Sequence, residues 1–500
     1  MADFDPFARQ IFSGNDYVNI DSGNAIDVIN PASLEPVGRI ADCDAATLDK
    51  AIQQARAAQR EWGGLDAKSR AAALHDVAHS IASADPAPVC ELMTREVGKP
   101  YPESTGELAN VAPAFHYFAE IARDDAGRIA GPIQSTTFQY ERYDPYGVSV
   151  HITPYNYPLL ILTMSVAASL AAGNAVIVKP SEISSLCTLA FMRHFKNLPP
   201  GLVTCVTGGG AVGAHLVESD DTNVVAFTGS VETGIKVNIA CAAKMKPCVI
   251  EAGGNDPLIV SDSIDLDFAT AATTCAAFHL SGQICTSAER IFVVDGIHDE
   301  FVAKLSASAK TLRVGDGFGK HEIGPLATEA ARDKAARMVD AAITAGAKAE
   351  CGGRIPPDHS TGWYYEPTVL SGVTPDMAIM QDEIFGPVAS VCRVADVDEG
   401  IARANQSRYG LGASILTTNM DEAMRAVEKI DSGMVNVNNP LVDSDALHFG
   451  GRKFSGIGSL FGRAGLNSFR QIKMVTIDPK PIMHDWWYPY PDDWFHPGSN

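Results

Sequence analysis

Apolar positions recur at helical spacing from residue 46 to 83, in Ala-rich stretches that Pro86 and Pro88 interrupt. A further helical stretch is predicted over 103–121, ahead of the Gly131-Pro132 turn. Beyond that turn, short β-rich runs alternate with helical ones. Strands are predicted at 148–152, 175–178, 202–207 and 224–227, with helices at 159–172, 187–194 and 212–218 between them. Such alternation predicts βαβ units, a parallel sheet covered by helices. A second α/β region starts near Asn255, with strands expected at 258–260, 290–294, 388–393 and 433–437 and helices at 299–313 and 329–345. The two regions meet at Glu251-Ala252-Gly253-Gly254, and a ligand cleft is expected there, between two α/β domains. No internal repeat stands out.

At 500 residues the chain is too long for one hydrophobic core, so two or three domains are expected. The net charge of −21 argues against nucleic acid or an anionic membrane as partner, since both require a basic footprint. The first residues show no basic segment followed by an apolar one, and no signal peptide is expected. The longest uncharged run, Ile152 to Val178, contains Asn156, Thr163, Ser165, Ser169 and a Gly173-Asn174 turn. That suits a buried helix and strand better than a membrane span. A cytoplasmic protein is the expectation. The 10 cysteines show no C-x-x-C pair, which excludes the usual zinc spacing and points to free thiols. Each is by default a small buried hydrophobe.

Cys285 departs from that default. Small and polar residues flank it, Ser281-Gly282-Gln283 before and Thr286-Ser287 after, unlike the apolar settings of Cys275 and Cys392. A thiolate is the strongest nucleophile a neutral-pH side chain offers, and adding it to a carbonyl creates a tetrahedral centre able to donate hydride. Six further patterns accompany GQICTSAER (from Gly282): TPYNYPL (Thr153), KPSE (Lys179), FTGSVETG (Phe227), EAGGNDP (Glu251), EIFGPV (Glu383) and GGRKFSGIG (Gly450). Together, and in this order, they resemble the aldehyde dehydrogenase superfamily over essentially the whole chain.

The resemblance implies two Rossmann-type parallel α/β domains plus a small β-flap and C-terminal oligomerisation element. It divides the chain into a dinucleotide-binding domain (1–126 and 146–254), a catalytic domain (255–455) and an oligomerisation flap with tail (127–145 and 471–500). It implies Cys285 as nucleophile, with the Asn156 amide and the Cys285 N–H holding the oxyanion, and Glu251 as the base that activates the hydrolytic water. Cofactor contacts are implied at Ile152, Thr153, Pro154, Tyr155, Lys179, Ser181, Glu182, Gly213, Phe227, Gly229, Ser230, Ala252, Glu383 and Phe385. The GGGAVG run (Gly208 to Gly213) is not a G-x-G-x-x-G fingerprint, and Gly213 is expected to serve close packing near the adenine. A carboxylate at Glu182 would repel a 2′-phosphate, so NAD is preferred over NADP. Tyr157, Met164, Ile284, Thr286 and Phe449 are expected to wall the aldehyde tunnel, and a homodimer or homotetramer is implied. A coenzyme-A-acylating relative is the alternative, disfavoured by Glu251. A retired enzyme serving as a binding or structural protein is the third reading.

Three positions depart from the family. Hydrolytic members commonly carry a Lys where this chain has Ser165, and a Glu where it has Leu460. The two are often described as a proton relay, so water is expected to reach Glu251 by another route or deacylation to be slow. His448 replaces a common proline and is expected to be a hydrogen-bonded loop residue. No Arg aligns with the tunnel, while Asp443 and Asp445 lie near its mouth, which favours a neutral or cationic aldehyde. The tail DWWYPYPDDWF, from Asp485, is apolar enough to be expected on a neighbouring subunit.

Overall fold

The computed structural model describes residues 7, 9–20, 24–133, 136–496 and 498. Two mostly parallel sheets organise it, each flanked by helices, as the strand–helix alternation predicts. The first has eight strands in the order Gly456–Ile457, Cys248–Ala252, Val224–Gly229, Val148–Thr153, Ala175–Pro180, Val203–Cys205, Gln10–Ser13 and Asp16–Asn19. Its five central strands run parallel, and antiparallel strands close both edges. The second has seven strands in the order Lys348–Cys351, Thr368–Ser371, Val388–Val394, Ala288–Val294, Asp256–Val260, Ser414–Leu416 and Asn436–Val437. All its pairings are parallel except that of Lys348–Cys351 with Thr368–Ser371. The strands Ala175–Pro180, Asp256–Val260 and Ala288–Val294 are buried at every residue, as central parallel strands covered on both faces must be.

The N-terminal helical stretch is two helices, Ala45–Gly64 and Ala67–Ser83. Asp66 separates them because its carboxylate accepts from the Ser69 N–H and starts a new helix. Pro86 begins a third helix, Ala87–Val97, as well as ending the earlier pattern. The predicted 103–121 helix is likewise two, Tyr101–Ala109 and Val111–Asp124. The strand expected over 433–437 is only Asn436–Val437. Strands at Gln10–Ser13, Asp16–Asn19, Ala25–Ile29 and Pro36–Ala41 precede the first helix and lack a pattern strong enough to predict.

The uncharged run folds as the helix Pro158–Ala172 and the strand Ala175–Pro180. That helix is buried nearly all round. Trp62, itself buried, donates from Nε1 to its Leu170 carbonyl at 2.8 Å. No helix among the described residues is long and apolar enough to cross a membrane. A three-stranded sheet completes the fold: Arg470–Ile477 pairs antiparallel along its length with Phe138–Pro145, which pairs with Ile129–Ala130. Residues 134 and 135 of the expected flap, and 497, 499 and 500 of the tail, lie outside the described residues.

Trp62→Phe keeps most of the packing but leaves the Leu170 carbonyl unsatisfied. It should lower stability by about 1–3 kcal/mol, read as a lower thermal midpoint; an unchanged midpoint would mean the bond contributes nothing.

Candidate active site

The chain passes from the first sheet to the second through Gly253-Gly254-Asn255, between Cys248–Ala252 and Asp256–Val260. A side chain at this junction would collide with the site: a Cβ on Gly254 would strike the Cys285 carbonyl, and one on Gly253 the Glu383 carboxylate. The seam therefore brings together residues far apart in sequence. Asn156, Thr228, Gly229, Glu251, Gly253, Cys285, Glu383 and Phe385 line one pocket of about 230 Å³, with Pro154, Tyr155 and Ser230.

Cys285 sits on a loop between the helix Leu266–Phe278 and the strand Ala288–Val294. Leu280 and Ser281 adopt left-handed backbone, at φ 51° and 54°, which costs a residue with a Cβ. Hydrogen bonds hold them there. The Leu280 N–H donates to Glu103 Oε1 at 3.2 Å, Ser281 Oγ donates to the Gly324 carbonyl at 2.9 Å, and Gln283 Oε1 accepts from the Ala327 N–H at 3.0 Å. Asn156 is buried just ahead of the helix Pro158–Ala172, and its Nδ2 donates to the Gln283 carbonyl at 2.9 Å. One amide hydrogen is thus used in tying Asn156 to the nucleophile loop, and the other is left for the pocket.

Glu251 pairs across the sheet with Thr228 and is almost wholly buried. Neither carboxylate oxygen accepts a hydrogen bond. Burial pushes its pKa up to about 7, and the facing Cys285 thiol and Thr228 hydroxyl temper the rise. Burial also pushes the Cys285 thiol well above its ordinary range, reinforced by the charges of Glu251 and Asp256. Cys285 accordingly rests as a thiol beside a carboxyl group poised near neutrality, a pairing suited to moving a proton.

Glu383 accepts from the Gly254 N–H at 3.0 Å, and burial raises its pKa to about 8. Phe385 has left-handed backbone at φ 57°, and its ring stands edge-on to Tyr155 with centroids 6.2 Å apart. Glu289, which the motif reading passed over, fixes this turn. Its buried carboxylate accepts from the Ile384 N–H at 2.8 Å, the Phe385 N–H at 2.7 Å and Asn255 Nδ2 at 2.9 Å. The available signal was an acidic residue inside an apolar strand, which must find donors when buried.

Lys179 is buried, with Nζ 3.6 Å from the half-exposed Glu182. Ser181 receives the Ile183 N–H at 3.3 Å, and its own N–H reaches the Thr153 carbonyl at 2.9 Å. Gly213 packs against Ile152, where an added Cβ would meet Cδ1 at 3.4 Å. Ser230 caps the helix Val231–Ala242 by accepting from the Thr233 N–H, so its hydroxyl is already engaged. Phe227 and Ala252 are buried on adjacent strands beneath the pocket.

Of the tunnel residues, Thr286 and Phe449 line a second, small pocket with Met434, Val442, Asp256 and Asp443. Tyr157 is half-buried, with Lys99 over its ring at 4.4 Å. Met164 and Ile284 line neither pocket: both are buried, Met164 within the first sheet's core. His448 is hydrogen-bonded at both nitrogens, to Ser459 Oγ at 2.8 Å and the Gly450 carbonyl at 3.2 Å. Ser165 bonds His151 Nδ1 at 2.8 Å, His151 Nε2 meets Ser149 Oγ at 2.8 Å, and Leu460 is buried apolar surface.

The family model of the Aldehyde dehydrogenase family matches residues 17–475. The chain is 33% identical over 488 residues to a betaine aldehyde dehydrogenase of Bacillus subtilis (strain 168), covering 96% of this chain and 99% of that protein. A crystal structure of betaine aldehyde dehydrogenase from Staphylococcus aureus in complex with NAD+ superposes with TM-score 0.92 at 29% identity, over 97% of both chains. An NAD-dependent aldehyde dehydrogenase from Sinorhizobium meliloti gives TM-score 0.92 at 32% identity, over 95% of both chains.

Removing the Glu251 charge should ease ionisation of Cys285. At pH 8.5 Glu251→Gln should be alkylated by iodoacetamide at Cys285 faster than the wild type, followed by intact mass; a slower reaction would contradict the electrostatics above.

Proposed function

The chain belongs to the aldehyde dehydrogenase family, and from that premise we propose that this NAD-dependent enzyme oxidises an aldehyde to the carboxylic acid through a thioester on Cys285. The observation that carries the proposal is the shared pocket, in which Cys285, Asn156 and Glu251 line one wall-to-wall space with Glu383 and Phe385. Residues in and around the pocket suit a dinucleotide. The turn from Gly229 into the helix Val231–Ala242 offers N–H groups to a pyrophosphate, Lys179 and Glu182 suit the adenosine ribose, and Glu383 suits the nicotinamide ribose. NAD, when bound, supplies the acceptor for the hydride that leaves the tetrahedral carbon. The Glu182 carboxylate favours NAD over NADP.

The residues then divide the work. Cys285 Sγ adds to the aldehyde carbon as its thiol proton passes to solvent in the pocket. The free hydrogen of Asn156 Nδ2 and the Cys285 N–H stabilise the oxyanion. Once hydride has left, the acyl group is a thioester. Glu251, ionised, takes a proton from water as its oxygen attacks the acyl carbon, and the acid departs as that proton passes from Glu251 to the sulfur. Its bare carboxylate oxygens are what this reading needs: they leave room for water as their partner. Ser165 is committed to His151, so the water is proposed to enter through the pocket itself. The small second pocket holds acidic Asp443 and Asp256 among apolar walls and no basic group, which supports a neutral or cationic aldehyde. The betaine aldehyde dehydrogenase relatives point the same way.

Association through the three-stranded sheet, as homodimer or homotetramer, belongs to the same proposal. Arg470–Ile477 is an edge strand whose outer side has no partner among the described residues, and Ile472, Met474, Trp486, Trp487 and Trp494 are exposed. A cytoplasmic location is supported by ten cysteines that are all free.

Cys285→Ala should form no NADH from any aldehyde in an absorbance screen. Glu251→Gln should give one burst of NADH and then a covalent acyl adduct visible by intact mass; the absence of both burst and adduct would remove Glu251 from the role. In the wild type the deacylation rate should rise with pH through about 7, as the buried carboxyl loses its proton, an inflection the Gln variant should lack.

Deleting residues 484–500 should shrink the oligomer in analytical ultracentrifugation; identical sedimentation and kinetics would show that the tail plays no part in assembly.

A further inference from the structure

Asn156 is held at two points. Its side chain is tied to the Gln283 carbonyl, and its main-chain carbonyl accepts from Lys99 Nζ at 3.0 Å. Lys99 follows directly after the helix Ala87–Val97, which ends in Gly98 at φ 85°, and precedes Pro100. Its side chain is fully enclosed, and so is that of its partner Glu107, whose Oε2 lies 2.5 Å from Nζ. The other Glu107 oxygen accepts the N–H groups of Leu159 at 2.7 Å and Leu160 at 3.0 Å. Those are orphan donors in the first turn of the helix Pro158–Ala172, where a carboxylate also meets the positive end of the helix dipole. The ammonium also rests 4.4 Å above the Tyr157 ring.

We propose that Lys99, with Glu107, is the positioning residue of the oxyanion amide, clamping residue 156 between its own carbonyl and the helix that follows it. The proposal rests on the reading of Asn156 as an oxyanion donor. Neither Lys99 nor Glu107 lines the catalytic pocket, so both act through Asn156. Stability alone gives little reason to bury such a pair, because apolar or neutral isosteres in its place are often as stable or more so. Geometry gives a reason: an ammonium has three donors, and two of them here fix a carbonyl and a carboxylate that flank the catalytic amide in space. A displacement of about 1 Å at such an amide is worth roughly a hundredfold in rate.

The test is the double variant Lys99→Met/Glu107→Gln, which removes both buried charges together. Expected are a thermal midpoint and NAD affinity close to wild type, an unchanged rate of Cys285 alkylation, and single-turnover NADH formation slowed roughly ten- to a hundredfold, with kcat falling more than KM rises. In an Asn156→Ala background the same double change should cause no further slowing, because its route to the reaction is already gone. Wild-type hydride transfer in the double variant overturns the proposal, as do losses that multiply with that of Asn156→Ala. Asn156→Ala forming NADH at the wild-type rate overturns the oxyanion reading beneath it, and is distinguishable because Lys99 is then intact. Should the double variant not fold, Lys99→Arg retains the charge but shifts the donor; it should slow NADH formation without altering NAD affinity, and a wild-type rate there is equally fatal.

Discussion

Everything at the seam follows from placing carboxyl groups where water is scarce. Glu251, Asp256 and Glu289 lie on strands and Glu383 on a loop where the two sheets meet, and burial raises the pKa of each. The seam tolerates them by two different means. Glu289 and Glu383 are compensated by backbone N–H groups, so they act as staples for the turns they hold. Glu251 has no such compensation, and that asymmetry separates a structural carboxylate from a reactive one in the same few ångströms of space. Leaving Glu251 without backbone donors costs stability and keeps its carboxyl available for proton transfer.

The backbone carries its share of that cost. Leu280, Ser281 and Phe385 all adopt left-handed conformations, and all lie on the two loops that present Cys285 and Glu383. Each is restrained by a hydrogen bond: the Leu280 N–H donates to Glu103, the Phe385 N–H to Glu289, and the Ser281 hydroxyl to the Gly324 carbonyl. The loops are therefore stiff where the chemistry requires fixed distances. Strain of this sort persists only where surrounding structure over-determines it.

The central fold was legible because the parallel strands are short apolar runs separated by helical periodicity, a contrast that survives in local sequence. The N-terminal strands were not, because Gln10–Ser13 to Asp16–Asn19 and Ala25–Ile29 to Pro36–Ala41 are short, partly exposed hairpins with no clean alternation of apolar and polar residues. Cys285, Asn156 and Glu251 were legible through motif context, and the structure places them in one pocket. Met164 and Ile284 are buried outside both pockets: alignment gives a position along the chain, whereas packing decides which way a side chain faces. Glu107, Lys99 and Glu289 escaped notice because their importance lies in partners 52 to 96 residues away, a relation no local pattern encodes. Ser165 was flagged as a missing lysine, and the structure supplies what local reading lacked, a buried His151 as its neighbour.

The protonated resting state of Cys285 has a consequence beyond turnover. Peroxide attacks thiolates far faster than thiols, and the sulfinic and sulfonic acids that follow a first oxidation are not reversed by ordinary thiols. Burial first, and the neighbouring carboxyl groups after it, hold Cys285 toward the thiol, the form that peroxide attacks more slowly. Enclosure of the nucleophile thus bears on how the idle enzyme meets oxidants as well as on how it turns over.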